Sequence, residues 1–179
     1  MPPDSLSKSR RSIRLSGYDY SQAGAYFVTI CAKKRNSVFG EISGDEMNPN
    51  AFGNIVIKCW MAIPQHFGFA ELDEFVLMPN HIHGILVLAD QPGRGTIYRA
   101  LAGVERFGDP TPDSLPTIIR TFKAAATRQI NRDSGPLVVW QRGYYEHVIR
   151  DEKELNRIRQ YIVENPLKWA TDRENPAVP

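Results

Sequence analysis

The sequence predicts an α+β protein built on a split βαβ plait. Three observations lead there. Strand-like runs rich in aromatic and β-branched residues are interrupted by two one-faced helices. Two of the strands, residues 70–78 and 81–88, flank a Pro79-Asn80 turn and so return antiparallel. The resulting order, β-α-β-β-α-β-α, is that of the plait with one further helix appended.

Each element has its own signal. Residues 1–20 read as a basic arm, with Lys8, Arg10, Arg11 and Arg14 set among serines. AYFVTICA, residues 25–32, is a strand. It is broken by Lys33-Lys34-Arg35-Asn36, and a polar, Gly-containing stretch with no expected element runs to Asn48. Phe52, Ile55, Val56, Cys59, Trp60 and Ile63 then recur at i, i+3, i+4, i+7, i+8 and i+11, the stripe of an amphipathic helix closed by Pro64. AELDEFVLM and HIHGILVL form the central pair. Residues 89–113, rich in Gly, Pro and Asp, read as a loop or insertion.

SLPTIIRTFKAAATRQINR places Ile118, Ile119, Phe122, Ala125, Ala126 and Ile130 on one helix face, with Arg120, Lys123, Arg128 and Arg132 toward solvent. Gly135-Pro136 ends it. PLVVWQRGYYEHVIRD suggests one or two strands around a turn at Arg142-Gly143. Asp151 can cap a last helix with Glu154 at the capping-box position. Leu155, Ile158 and Ile162 face inward, and Asn165-Pro166 stops the helix. The domain reading is an arm (1–20), one domain (21–170) and a polar, flexible tail (171–179).

Bulk properties exclude several classes. The 179 residues, 42% hydrophobic, suit one domain with a real core. A net charge of +2 is too small by itself to argue for nucleic acid. Two cysteines, Cys31 and Cys59, make neither a disulfide framework nor a zinc knuckle, and a cytoplasmic location is the simplest expectation. The polar opening and the lack of any apolar run near about 18 residues give no expectation of a signal peptide or a membrane partner.

The chain has four histidines, and His81 and His83 sit at i and i+2 at the head of an apolar strand. Such side chains share one face, about 6.6 Å apart along the strand. Two imidazoles so placed can converge on one metal ion with bonds of roughly 2 Å. The plainer alternative is a pair of half-buried histidines. Two candidates could complete a site. His147 would give three histidines. Asn165 follows Tyr161 at i+4, on one helix face, and would bring a phenol with it. The plainer role for Tyr161 is packing beside Ile158 and Ile162.

MPNHIHGILV, followed downstream by VWQRGYYEHVIRDEKELNRIRQYIVENPLKW, resembles the single-tyrosine HUH transposases, most closely the REP-associated tyrosine transposases, an IS200-like branch. RRSIRLSGYDYSQAGAYFVTIC resembles their first strand and its lead-in. The resemblance covers roughly residues 10–170 and omits 89–113. HIH is the family's His-hydrophobic-His motif; the run around YIVENP is far more specific.

The resemblance implies a ferredoxin-like plait, an antiparallel sheet with helices on one face, a central HUH strand and the tyrosine on the C-terminal helix. It implies that His81, His83 and Asn165 bind Mg²⁺ or Mn²⁺ and that Tyr161 is the nucleophile. The phenol would attack as phenolate, lowered from its usual pKa near about 10 by the cation. The products are a 5′-phosphotyrosine and a free 3′-OH, and a later 3′-OH attack rejoins the strand. The implied partner is single-stranded DNA beside a hairpin. The wider family pairs as homodimers and the REP-associated branch can act as a monomer, so both states stay open. Arg10, Arg11, Arg14, Lys33, Lys34, Arg35, Arg120, Lys123 and Arg142 are the expected phosphate contacts. His147 is a secondary candidate for positioning phosphate or base. Tyr144 and Tyr145 are rival nucleophiles.

Two other readings compete. A zinc hydrolase or cupin-like enzyme would use His81, His83 and His147, and would ignore loss of the Tyr161 hydroxyl. A domesticated descendant would bind hairpin DNA without cutting it.

Overall fold

The computed structural model describes residues 15, 17–90, 111–172 and 174–176. Arg10, Arg11 and Arg14, and most of the 89–113 segment, lie outside the described residues. Six strands form: β1 (Gly24–Cys31), β2 (Gly40–Ser43), β3 (Glu46–Pro49), β4 (Ala70–Leu77), β5 (His81–Leu88) and β6 (Tyr145–Ile149). The helices are α1 (Ala51–Met61), the single turn α2 (Ile63–His66), α3 (Leu115–Ser134) and α4 (Glu152–Val163).

The main sheet has the order β4-β5-β1-β6, antiparallel throughout. This is the expected plait: α1 joins β1 to β4, α3 joins β5 to β6, and α4 is the addition. The alternation of each strand divides its residues between two cores. Tyr26, Val28, Ile30, Ile82 and Leu86 face α1 and α3, meeting Val56, Trp60, Ile118 and Phe122. Phe27, Ile85 and Ile149 face the other way, against Ile158 and Ile162 of α4. His81 and His83 share that second face, on a strand paired along both edges. Gly84, next to His83 and on the opposite face, leaves room for Trp60: a side-chain carbon at residue 84 would overlap the indole unless the ring shifted.

Several boundaries differ from expectation. The stretch before Asn48 holds a hairpin, β2–β3. Gly44 and Asp45 both have positive φ, 59° and 66°, the turn that suits the twist of paired strands. Its strands are four residues long and mostly exposed, so no apolar period advertised them. Pro64 does not merely end α1. It sits in the first turn of α2, where its missing N–H costs nothing. Asp151 caps α4, accepting from Glu154 N at 2.8 Å. Glu154 reaches one residue further back than a capping box requires, accepting from Arg150 N at 3.0 Å.

Candidate active site

The site begins with Asn80, His81 and Thr29. His81 and His83 are buried, 0% and 3% exposed. His81 Nδ1 lies 2.8 Å from Asn80 Oδ1, and His83 Nδ1 lies 2.8 Å from Thr29 Oγ1. Asn80 Nδ2 donates to two carbonyls, Arg35 O at 2.9 Å and Glu174 O at 2.6 Å. Those bonds fix the amide orientation, so Asn80 Oδ1 must accept and His81 Nδ1 must carry the proton. The Nε2 lone pair of His81 is then free, and it faces His83 Nε2 at 3.0 Å. Burial and the nearby Arg35 charge push His81 down to about 3, and burial and His81 push His83 well below its ordinary value. Both rings are therefore neutral at neutral pH, the state that ligates metal.

Tyr161 points from α4 into this pair. Its hydroxyl is 3.3 Å from His83 Nε2, and its ring meets those of His83 and Phe27 edge to face. Burial first, then the charge of Asp172, raises the phenol above its ordinary value; a hydrogen bond from Asn165 pulls the other way. Asn165 lies two residues past the end of α4, but its backbone stays helical (φ −60°, ψ −42°), so the i+4 relation to Tyr161 survives. It is 1% exposed, and its Oδ1 has no hydrogen-bond partner.

Asp172 is the residue the sequence did not reveal. Ligand atoms of His81, His83 and Asp172 all lie within 4.8 Å of one another. The chain after α4 runs through a 3-10 helix (Pro166–Thr171) and folds back over the histidines. Trp169 stands 6.1 Å from the His81 ring, and Glu174 pairs with Arg35 at 2.8 Å. Residues 172, 174 and 175 are thus fastened to the body, where a flexible tail from 171 was expected. Loop-like composition hid this: the anchors are single contacts from a polar stretch, without period.

A divalent ion fits these donors. Two imidazole nitrogens, a carboxylate and an orphaned amide oxygen suit a hard or borderline ion.

Other expected site residues fall elsewhere. His147 shares the sheet face, but its Nε2 is held by Glu154 Oε1 at 2.9 Å and it does not join the ligand cluster, which removes the basis for a three-histidine zinc site. Lys123 donates to Gln141 O and Gly143 O at 2.7 and 2.9 Å, and burial pushes it down to about 8. It props the turn before β6 instead of reaching for phosphate. Arg35 is engaged by Glu174, while Arg120 is exposed beside Thr117. Lys33, Lys34 and Arg142 are exposed. Tyr144 packs with the core on the far face of the sheet. Cys31 pairs with His81 in register but is not part of the His81, His83 and Asp172 group, and burial and Glu174 push its thiol up to about 12.

No protein-family profile matches the chain. A Haemophilus influenzae protein called only "Uncharacterized protein" is 42% identical over 165 residues, covering 92% of either chain. A second protein of that organism, named "Putative REP-associated tyrosine transposase", is 28% identical over 150 residues, 84% of this chain and 74% of the relative. The solved structure of a REP-associated tyrosine transposase bound to a REP hairpin shares the fold, with a TM-score of 0.57 at 19% identity over 88% of this chain and 73% of that one. The chain thus combines that fold with a histidine pair on the central strand, faced by a tyrosine on a helix across the sheet. In sequence and in fold the chain is similar to REP-associated tyrosine transposases.

Proposed function

We propose that this protein cleaves and rejoins single-stranded DNA at a hairpin through a 5′-phosphotyrosine on Tyr161, with Mg²⁺ or Mn²⁺ held by His81, His83, Asn165 and Asp172. The observation that carries the reading is the 3.3 Å approach of the Tyr161 hydroxyl to His83 Nε2. When bound, the ion supplies charge to polarise the scissile phosphate and to favour phenolate. Asn165 donates to the phenol oxygen and so favours its ionised form. Asn80 and Thr29 hold the imidazoles in place. The Tyr161 oxygen bonds to phosphorus, the P–O3′ bond breaks, the phenolic proton passes to solvent and the 3′-oxygen takes one up. A 3′-OH attacking the phosphotyrosine reverses these bonds and frees Tyr161, so no nucleotide cofactor is required. Among the described residues no helix is long and apolar enough to cross a membrane.

The test is end-labelled single-stranded DNA from the flanks of the protein's own gene, incubated with Mn²⁺ and run on a denaturing gel. A covalent adduct lost with EDTA and in Tyr161→Phe is expected. An adduct that survives Tyr161→Phe would move the nucleophile, and hairpin binding without any adduct would leave a binder only.

A further inference from the structure

The face of the sheet that carries the histidines continues beyond them to its edge. Thr29 pairs with His83 on one side and with Tyr145 on the other. His83, Thr29 and Tyr145 thus form one row across β5, β1 and β6, pointing the same way. With strands about 4.8 Å apart, Tyr145 stands about 10 Å from His83. Its ring is 45% exposed. Its edge-to-face neighbour, Phe27 at 6.4 Å, stacks in turn on His83 at 5.4 Å.

Tyr145 has little packing work. The core beneath α4 is made by Phe27, Ile85, Ile149, Ile158 and Ile162, and Tyr145 is outside it. Tyr144 takes the core role on the opposite face. Further along the same edge the chain is basic. Lys33 N bonds Val139 O and Gln141 N bonds Cys31 O, so the exposed Lys33–Lys34 turn lies against the segment that leads through Arg142 into β6. An open ring, in line with the histidine pair and on the same sheet edge as an exposed basic turn, has the make-up of a single-strand contact: charge for the backbone and a π-face for a base.

We propose that Tyr145 is a stacking platform for one unpaired nucleobase of the strand whose phosphate lies at the histidine pair. This rests on the reading of the site as a single-strand DNA centre. It assigns Tyr145 a positioning role and no covalent step.

The experiment is fluorescence anisotropy of the full chain with a fluorescein-labelled oligo(dT), across a salt series. Tyr145→Ala should weaken binding by about tenfold or more, the scale of one base stack, with the slope against log salt unchanged. Tyr145→Phe and Tyr145→Trp should stay within about twofold, since both keep a ring face. Lys34→Gln should flatten the slope by about one charge. Duplex DNA, whose bases are already stacked, should not sense Tyr145→Ala. An iodouridine-substituted oligonucleotide should photocrosslink to the peptide containing Tyr145. Unchanged affinity in Tyr145→Ala, an equal loss in Tyr145→Phe, or crosslinking confined to other peptides would overturn the platform. The Tyr161 adduct reads the parent proposal separately: adduct with no Tyr145 effect discards only the platform, Tyr145-dependent binding without adduct discards only cleavage, and no oligonucleotide binding by the natural chain overturns both.

Discussion

Asp73 and Arg159 form a two-pronged ion pair, with Nε to Oδ1 at 2.8 Å and Nη2 to Oδ2 at 2.6 Å. Asp73 sits where β4 slips register between Leu72 and Phe75, and Arg159 lies two residues before Tyr161 on α4. The bulge turns an acidic side chain onto the α4 side of the sheet, and the pair ties the tyrosine helix to an edge strand. At the other edge, His147 grips Glu154 of the same helix.

The Asp73 clamp has a defined pH dependence. The bond from Arg159 holds the carboxyl below its ordinary value. A carboxyl depressed on folding contributes stability that is complete above its unfolded pKa and fades as pH falls through the folded one. Hydrogen exchange should show α4 well protected at neutral pH and losing protection selectively in acid. Arg159→Lys, which loses the fork, should remove that protection at all pH values and slow adduct formation several-fold without a matching loss in DNA affinity.

Removing Asp172 should have two separable effects. Asp172→Asn should weaken Mn²⁺ binding about tenfold or more, read by electron paramagnetic resonance. Without metal, the Tyr161 phenol should titrate at lower pH in Asp172→Asn, because the carboxylate charge is one of the causes that raise it. Ultraviolet difference spectra in an alkaline titration would read that shift, and an unmoved phenol would place Asp172 away from the site.

Asn80→Ala should cost both metal and fold. It deletes the acceptor that sets His81 and the donor shared by Arg35 O and Glu174 O. Buried partners left unpaired cost about 1–3 kcal/mol each. Urea unfolding should shift accordingly, and Mn²⁺ affinity should fall about 10- to 100-fold.

Gly84→Ala probes the sheet beneath the site. A methyl there meets Trp60, which is fully buried and wedged by Phe75 and Phe122 with ring centroids at 5.1 and 5.4 Å. Overpacking of this kind costs about 1–3 kcal/mol. The melting temperature should drop, and a well-tolerated alanine would mean that the indole can retreat.

Periodic segments told the sequence most. The stripe from Phe52 to Ile63 and the alternation of HIHGILVL are long enough to impose one face, so α1, α3, β4, β5 and the plait order were legible. The histidine pair and Tyr161 could be read because each sits on such an element. Asn80 looked like a turn residue, since nothing in a linear string shows that its amide bridges residues 35, 81 and 174. Asp172 lies in a polar run whose position depends on contacts made far away in sequence, by Arg35 and Asn80. Lys123 looked free because helix periodicity reports a face and not the loop that covers it.

Only Arg150 and Asp151 separate β6 from α4. Extended, that link carries the chain about 10 Å from Ile149 to Glu152. Tyr161 therefore leaves His83 only if α4 swings about residues 150–151 and gives up the Asp73–Arg159 and His147–Glu154 pairs. On the proposed chemistry, a molecule that keeps its own tyrosine at its own histidines would hold one severed end at a time, and excising a DNA segment would require two successive captures or two molecules acting in parallel.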